Sequence, residues 1–177
     1  MSIWKFRLYL VPERGLLTRY ETLPFSIPME LAEEHDWWVG DQPPAGFEKQ
    51  IEATLPQMES WSKSVRMWGW KEVGGDAQVS YTNDDQTSVE EIQFRIDSRA
   101  VSDDLIRLTC ELARRLNCVL MTSDYKIVVP DEPTVRRVFC ESTAAKFMVN
   151  PVGTLEGLDT DEIQRRADYG TKEPKKQ

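Results

Sequence analysis

The sequence predicts an α+β fold: a mostly antiparallel sheet with helices packed on one face. Three observations carry this. Val89, Ile92, Phe94 and Ile96 read as one apolar face, with Gln93, Arg95 and Asp97 between them, the alternation of a half-buried strand. The period then changes. Val101, Leu105, Leu108, Leu112 and Leu116 recur every three or four residues, which makes one apolar stripe on a helix. The runs before this pair read as a meander joined by turns, and the two strongest helices come late in the chain. A ferredoxin-like arrangement of the second half is the alternative.

Taken in order, Ile3–Leu10 alternates Trp4, Phe6, Leu8 and Leu10 with Lys5, Arg7 and Tyr9, a first strand ended by Pro12 and Gly15. Thr18–Thr22 reads as a partner strand. Pro28 opens a short helix, stopped by Gly40 and Pro43-Pro44. Phe47, Ile51 and Leu55 mark another, broken near Pro56. Arg66–Glu72, Ala77–Tyr81 and the Val89 run form the meander, turning at Gly74-Gly75 and at Asn83-Asp84-Asp85. Ser102 is a good N-cap, and Asp103 and Asp104 suit the positive end of the helix dipole. Cys118–Met121 and Lys126–Val129 form a hairpin around Ser123-Asp124. Pro133 opens a helix carrying Val135, Val138, Phe139 and Met148. Asp161–Tyr169 reads as a last helical turn or two. Residues 1–170 read as one domain, and 171–177 as a solvated tail.

The chain has 177 residues, enough to bury a core without disulfides or metals. No run approaches the ~18 apolar residues of a membrane span. The three cysteines, Cys110, Cys118 and Cys140, are widely spaced, and the first two read as small buried hydrophobes. A reducing cytoplasm is the expected compartment. Asp and Glu number 30 against 22 Lys and Arg, a net charge of −8. That disfavours nucleic acid, whose binding rests on cationic side chains, and suits a basic protein partner.

Catalytic patterns are sparse. His35 is the only histidine, no G-x-S-x-G elbow is present, and no Ser or Cys stands next to it. Its acidic neighbours lack the spacing of a zinc site. Gly74-Gly75 is not followed by the Lys-Ser/Thr of a phosphate loop. No metal or cofactor is expected. Arg114-Arg115, Arg136-Arg137 and Arg165-Arg166 face carboxylates three or four positions away. Such pairs contribute about 0.2–0.5 kcal/mol each and mark solvent-facing helices.

The six tryptophans are the unusual feature. Trp4, Trp61, Trp68 and Trp70 are most simply core. Trp37 and Trp38 are adjacent, and one short element cannot easily turn both inward. At least one is therefore expected to be exposed, among Glu33, Glu34, Asp36 and Asp41; the competing reading is a lid in which both cover the sheet edge. Exposed indoles with flanking carboxylates suit a basic partner, so Trp37, Trp38, Glu33, Glu34, Asp36 and Asp41 are the candidate partner-binding residues. Asp84, Asp85, Glu90 and Glu91 are expected to join them, and the outer sheet face is a second candidate surface.

The combination W-W-x-G-x-Q-P-P (Trp37, Trp38, Gly40, Gln42, Pro43, Pro44), L-P then S-W-S (Leu55, Pro56, Ser60–Ser62), R-M-W-G (Arg66–Gly69) and F-R-I-D-x-R (Phe94–Asp97, Arg99) resembles small bacterial α+β proteins of the immunity type. The resemblance covers roughly residues 30 to 150, a domain-length stretch. It implies a non-catalytic protein that neutralises a toxin by occlusion, and it carries over no site residue. The expected function is protein binding, as a monomer or homodimer. The alternatives are a self-associating accessory module and, behind it, an enzyme built on carboxylates such as Asp36 and Asp97.

Overall fold

Phe6, Leu8 and Leu10 on one run and Ile92, Phe94 and Ile96 on another each need a covered face. Pairing the runs lets one layer of helices cover both. The computed structural model, which describes residues 3–34, 36–70 and 74–157, has this arrangement. Its strands are β1 Lys5–Pro12, β2 Gln57–Met58, β3 Val65–Gly69, β4 Gly75–Tyr81, β5 Val89–Asp97, β6 Cys118–Thr122 and β7 Ile127–Val128. They form one sheet, ordered β2-β3-β4-β5-β1-β6-β7, with every neighbouring pair antiparallel. The helices are α1 Glu13–Leu17, α2 Met29–Glu34, α3 Glu48–Glu52, α4 Asp103–Arg115, α5 Glu132–Glu141, α6 Thr143–Val149 and α7 Pro151–Glu156. The fold is α+β with an antiparallel sheet. None of the described helices is long and apolar enough to cross a membrane.

Register fixes the faces. Phe6 lies beside Ile96 and Leu8 beside Phe94, while Ala77 and Val79 lie beside Phe94 and Ile92. This is the helix face. The Phe6 and Phe139 rings meet edge-on at 5.6 Å, and Gly75 lies under Leu105 of α4. Ile92, Phe94 and Ile96 are fully buried there, each contributing about 1.5–3 kcal/mol. The three-residue step from Val89 to Ile92 breaks strict alternation. A bulge absorbs it: Ser80 pairs with Glu91 and Tyr81 with Val89, so Glu90 is the extra residue and Val89 turns back to the core.

Helix α4 begins as expected, with the Ser102 hydroxyl accepting from the Leu105 amide at 3.2 Å. Its buried surface is wider than one stripe. Ile106, Thr109, Cys110 and Ala113 are buried as well, because α3 and α5 flank it. The Thr109 hydroxyl donates to the Leu105 carbonyl at 2.7 Å, so its burial leaves no orphan donor. Val101 is exposed and precedes the helix. The Arg107 and Arg136 pairs join helices as well as turns. Arg136 meets Asp103 at 2.8 Å and Glu132 at 3.8 Å, and Arg107 meets Asp104 at 3.2 Å and Glu132 at 3.9 Å.

Some elements differ from the sequence reading. Thr18–Thr22 is not a strand, because the amides of Thr18, Arg19 and Tyr20 close the end of α1 on Arg14 and Leu16. The helix expected from Pro133 to Met148 is two, broken at Ser142. That residue is extended, and its hydroxyl accepts from the Ala145 amide to start α6. The third strand ends at Gly69, and 71–73 lie outside the described residues, as do Asp161–Tyr169 and the tail 171–177. The outer edge of β7 is occupied: Ile127 donates to Phe25 at 2.8 Å and Ile27 to Tyr125 at 3.0 Å.

Gly75 lies close to both the neighbouring strand and α4. It has φ +109, and a Cβ there would stand 2.1 Å from the Arg95 carbonyl oxygen and 2.7 Å from Leu105 Cδ2. Gly75→Ala is therefore expected to destabilise the fold by about 3 kcal/mol, read by chemical denaturation.

Candidate functional site

Residues 36–41 form a tight turn rather than a helix or strand. Val39 donates to Asp36 at 3.1 Å and Asp41 to Trp38 at 3.2 Å. In such a turn neighbouring side chains need not diverge as they do in regular elements. Both indoles consequently enter the core, Trp37 with 9% and Trp38 with 3% of its surface exposed. This corrects the expectation that one stands in solvent. Trp37 lies against Gly15, where an added Cβ would meet its Cε3 at 3.7 Å.

Gln42 ties the turn to the sheet. Its Oε1 accepts from the Val89 amide at 2.6 Å, and its Nε2 donates to the Val89 carbonyl at 3.0 Å and the Trp38 carbonyl at 2.7 Å. Val89 begins β5 beyond the last residue paired to β1, so Gln42 serves as the partner that β1 does not supply. The turn thus sits at one end of β5 and Asp97 at the other, which separates Asp36 from Asp97 by most of a strand length.

The exposed apolar side chain of the turn is Val39, at 75%. Asp36 beside it is exposed and Asp41 half-buried, and neither carboxylate has an ion pair among the described residues. Glu33 is exposed, and its Oε1 accepts the Tyr125 hydroxyl at 2.8 Å. The side chain of Glu34, and His35 altogether, lie outside the described residues. Asp84 and Asp85 are exposed in the β4–β5 turn, and Glu90 is the exposed bulge residue. The exposed tryptophans are Trp61, 68% exposed between β2 and β3, and Trp70, 37% exposed after β3, while Trp4 is half-buried. All three were expected in the core, and Trp61 and Trp70 depart furthest from it. Each lies outside the regular strand, where alternation says nothing about facing.

The second sheet face carries a polar array. Asp76 accepts from Lys5 Nζ at 2.8 Å and from Arg95 Nε, and Asp97 accepts from Arg99 Nη2 at 2.6 Å. The Arg99 hydrogen bond, ahead of the opposing effect of burial, holds Asp97 below the usual carboxylate range. Arg99 also stacks on Trp4, 5.1 Å from its ring centroid. Gln93 and Asp97 are buried, so this surface is less open than the outer face the sequence suggests. Glu91 is half-buried beside the bulge, and burial, then Glu90, push its carboxyl up to about 7, against Arg7 and Arg95. Among the described residues no group of three or more His, Cys, Asp or Glu is placed to hold a metal.

Gln42→Ala removes three hydrogen bonds and leaves the buried Val89 groups without their side-chain partner. A loss of about 1–3 kcal/mol is expected, with faster amide exchange at Val89. Between pH 4.5 and about 7, folded Glu91 holds a proton that the unfolded chain releases. Its contribution is full below this window and lost as pH rises through it. Glu91→Gln should flatten the fall of melting temperature across that range.

Compared with family models, with curated proteins and with solved structures, the chain matches none of them.

Proposed function

We propose that the chain is a non-catalytic protein-binding protein that sets the acidic turn Asp36–Asp41 against a basic partner and acts by occlusion, as an immunity-type neutraliser does. The observation that carries this reading is Val39, an exposed apolar side chain on a turn held from below. Trp37 and Trp38 are buried beneath it, and Gln42 fastens it through three hydrogen bonds. A surface already ordered loses little conformational freedom on binding. Asp36 and Asp41 on the same turn, with Glu33 shortly before it in α2, favour encounter with positive charge. In this reading the tryptophans support the surface and do not touch the partner.

The test is cross-linked capture from native cells, quantified by mass spectrometry for wild type and for Asp36→Asn with Val39→Ser. Recovery of a specific basic protein should fall about tenfold in the variant while its melting temperature holds. Equal recovery counts against the reading.

Self-association is the second reading, favoured by one observation. Met148 and Val149 at the end of α6 and Val152 and Leu155 on α7 are exposed apolar side chains close together in sequence. Here a second copy would cover these side chains, not a sheet edge. Light scattering over a concentration series should then show a dimer that Val152→Asp abolishes; a monomer at every concentration removes this reading.

A further inference from the structure

A shallow groove of about 470 Å³ runs between α1 and the turn from α4 into β6. Leu17 and Leu116 supply apolar walls, and Glu13, Asp41, Arg14, Thr18 and Asn117 complete the lining. Three sources of negative potential converge there. Glu13 and Asp41 are half-buried and have no ion pair among the described residues. The third is the C-terminal end of α4, whose last carbonyls carry partial negative charge that Arg114 and Arg115 of the same turn offset in part. Their common reach is visible at Cys118, whose thiol is pushed up to about 12 by burial, then by Asp41, then by Glu13. The amide of Glu13 donates to the Asn117 carbonyl at 3.0 Å, which locks the two sides of the groove together.

We infer that this groove takes one lysine or arginine side chain of the protein partner, its charge between Glu13 and Asp41 and its methylene stem along Leu17 and Leu116. This rests on the basic-partner reading and adds to it a specific seat, which Asp41 joins to the Val39 turn. Arg14 is the one cation on the rim. It is exposed and forms no ion pair with either carboxylate. Its charge therefore opposes an incoming cation.

The test is an amide chemical-shift titration of the full chain with the peptide acetyl-Gly-Lys-Gly-Lys-Gly-amide and with its acetyl-lysine counterpart. Saturable shifts are expected at Leu17, Leu116 and Asn117 with the charged peptide alone. Glu13→Gln with Asp41→Asn should raise Kd about tenfold or more, and Arg14→Ala should lower it. A merely structural role for these side chains would not produce both signs. The inference is overturned if no saturable shift develops by about 10 mM peptide, if the shifts map elsewhere, or if the double variant binds as wild type does. It is overturned even where Val39→Ser still costs partner recovery, so the two readings fail separately.

Discussion

The pairing of β5 with β1 on one side and β4 on the other is the constraint on which the rest of the molecule depends. It brings the chain start beside residues some ninety positions later. It also aligns two apolar faces so that one layer of helices can cover both. The bulge at Glu90 is part of this constraint. Without the extra residue, burying Ile92, Phe94 and Ile96 would turn Val89 to the opposite face. With it, Val89 returns to the core, and its free backbone edge is taken by Gln42.

That edge connects fold and surface. The acidic turn is not a loose insertion, because Gln42 fastens it to the sheet and two indoles sink beneath it. The arrangement places an apolar tip and unpaired carboxylates on a rigid base. The groove beside α1 continues the same surface, and there the Glu13–Asn117 bond holds α1 to the end of α4.

The polar sheet face has a different character. Two of its carboxylates are paired internally, Asp76 with Lys5 and Arg95 and Asp97 with Arg99. Carboxylates this buried are tolerable because their partners hydrogen-bond them directly. Arg7 stands beside Arg95 in register, a like-charge neighbour that the Asp76 contact offsets. This face is chiefly a self-satisfied network, whereas Asp36, Asp41 and Glu13 have no ion pair among the described residues.

Periodicity and capping made β5, α4, the β6–β7 hairpin and the fold class legible in the sequence alone, because these depend on residues within a few positions of one another. Ser102 at the start of α4 and the acidic composition of the turn were legible for the same reason. The bulge lay in the three-residue step at Val89, but a single strand cannot say how its partner will register. Which tryptophans are buried was decided only by tertiary structure. Trp37 and Trp38 are inside because a turn points them there and a glutamine forty-seven residues from Val89 holds that turn in place. Trp61 and Trp70 are outside because they fall beyond the strand ends. The groove belongs to the same class: Glu13, Asp41 and Leu116 are remote in sequence, and only the packing of α1 against the end of α4 makes them neighbours.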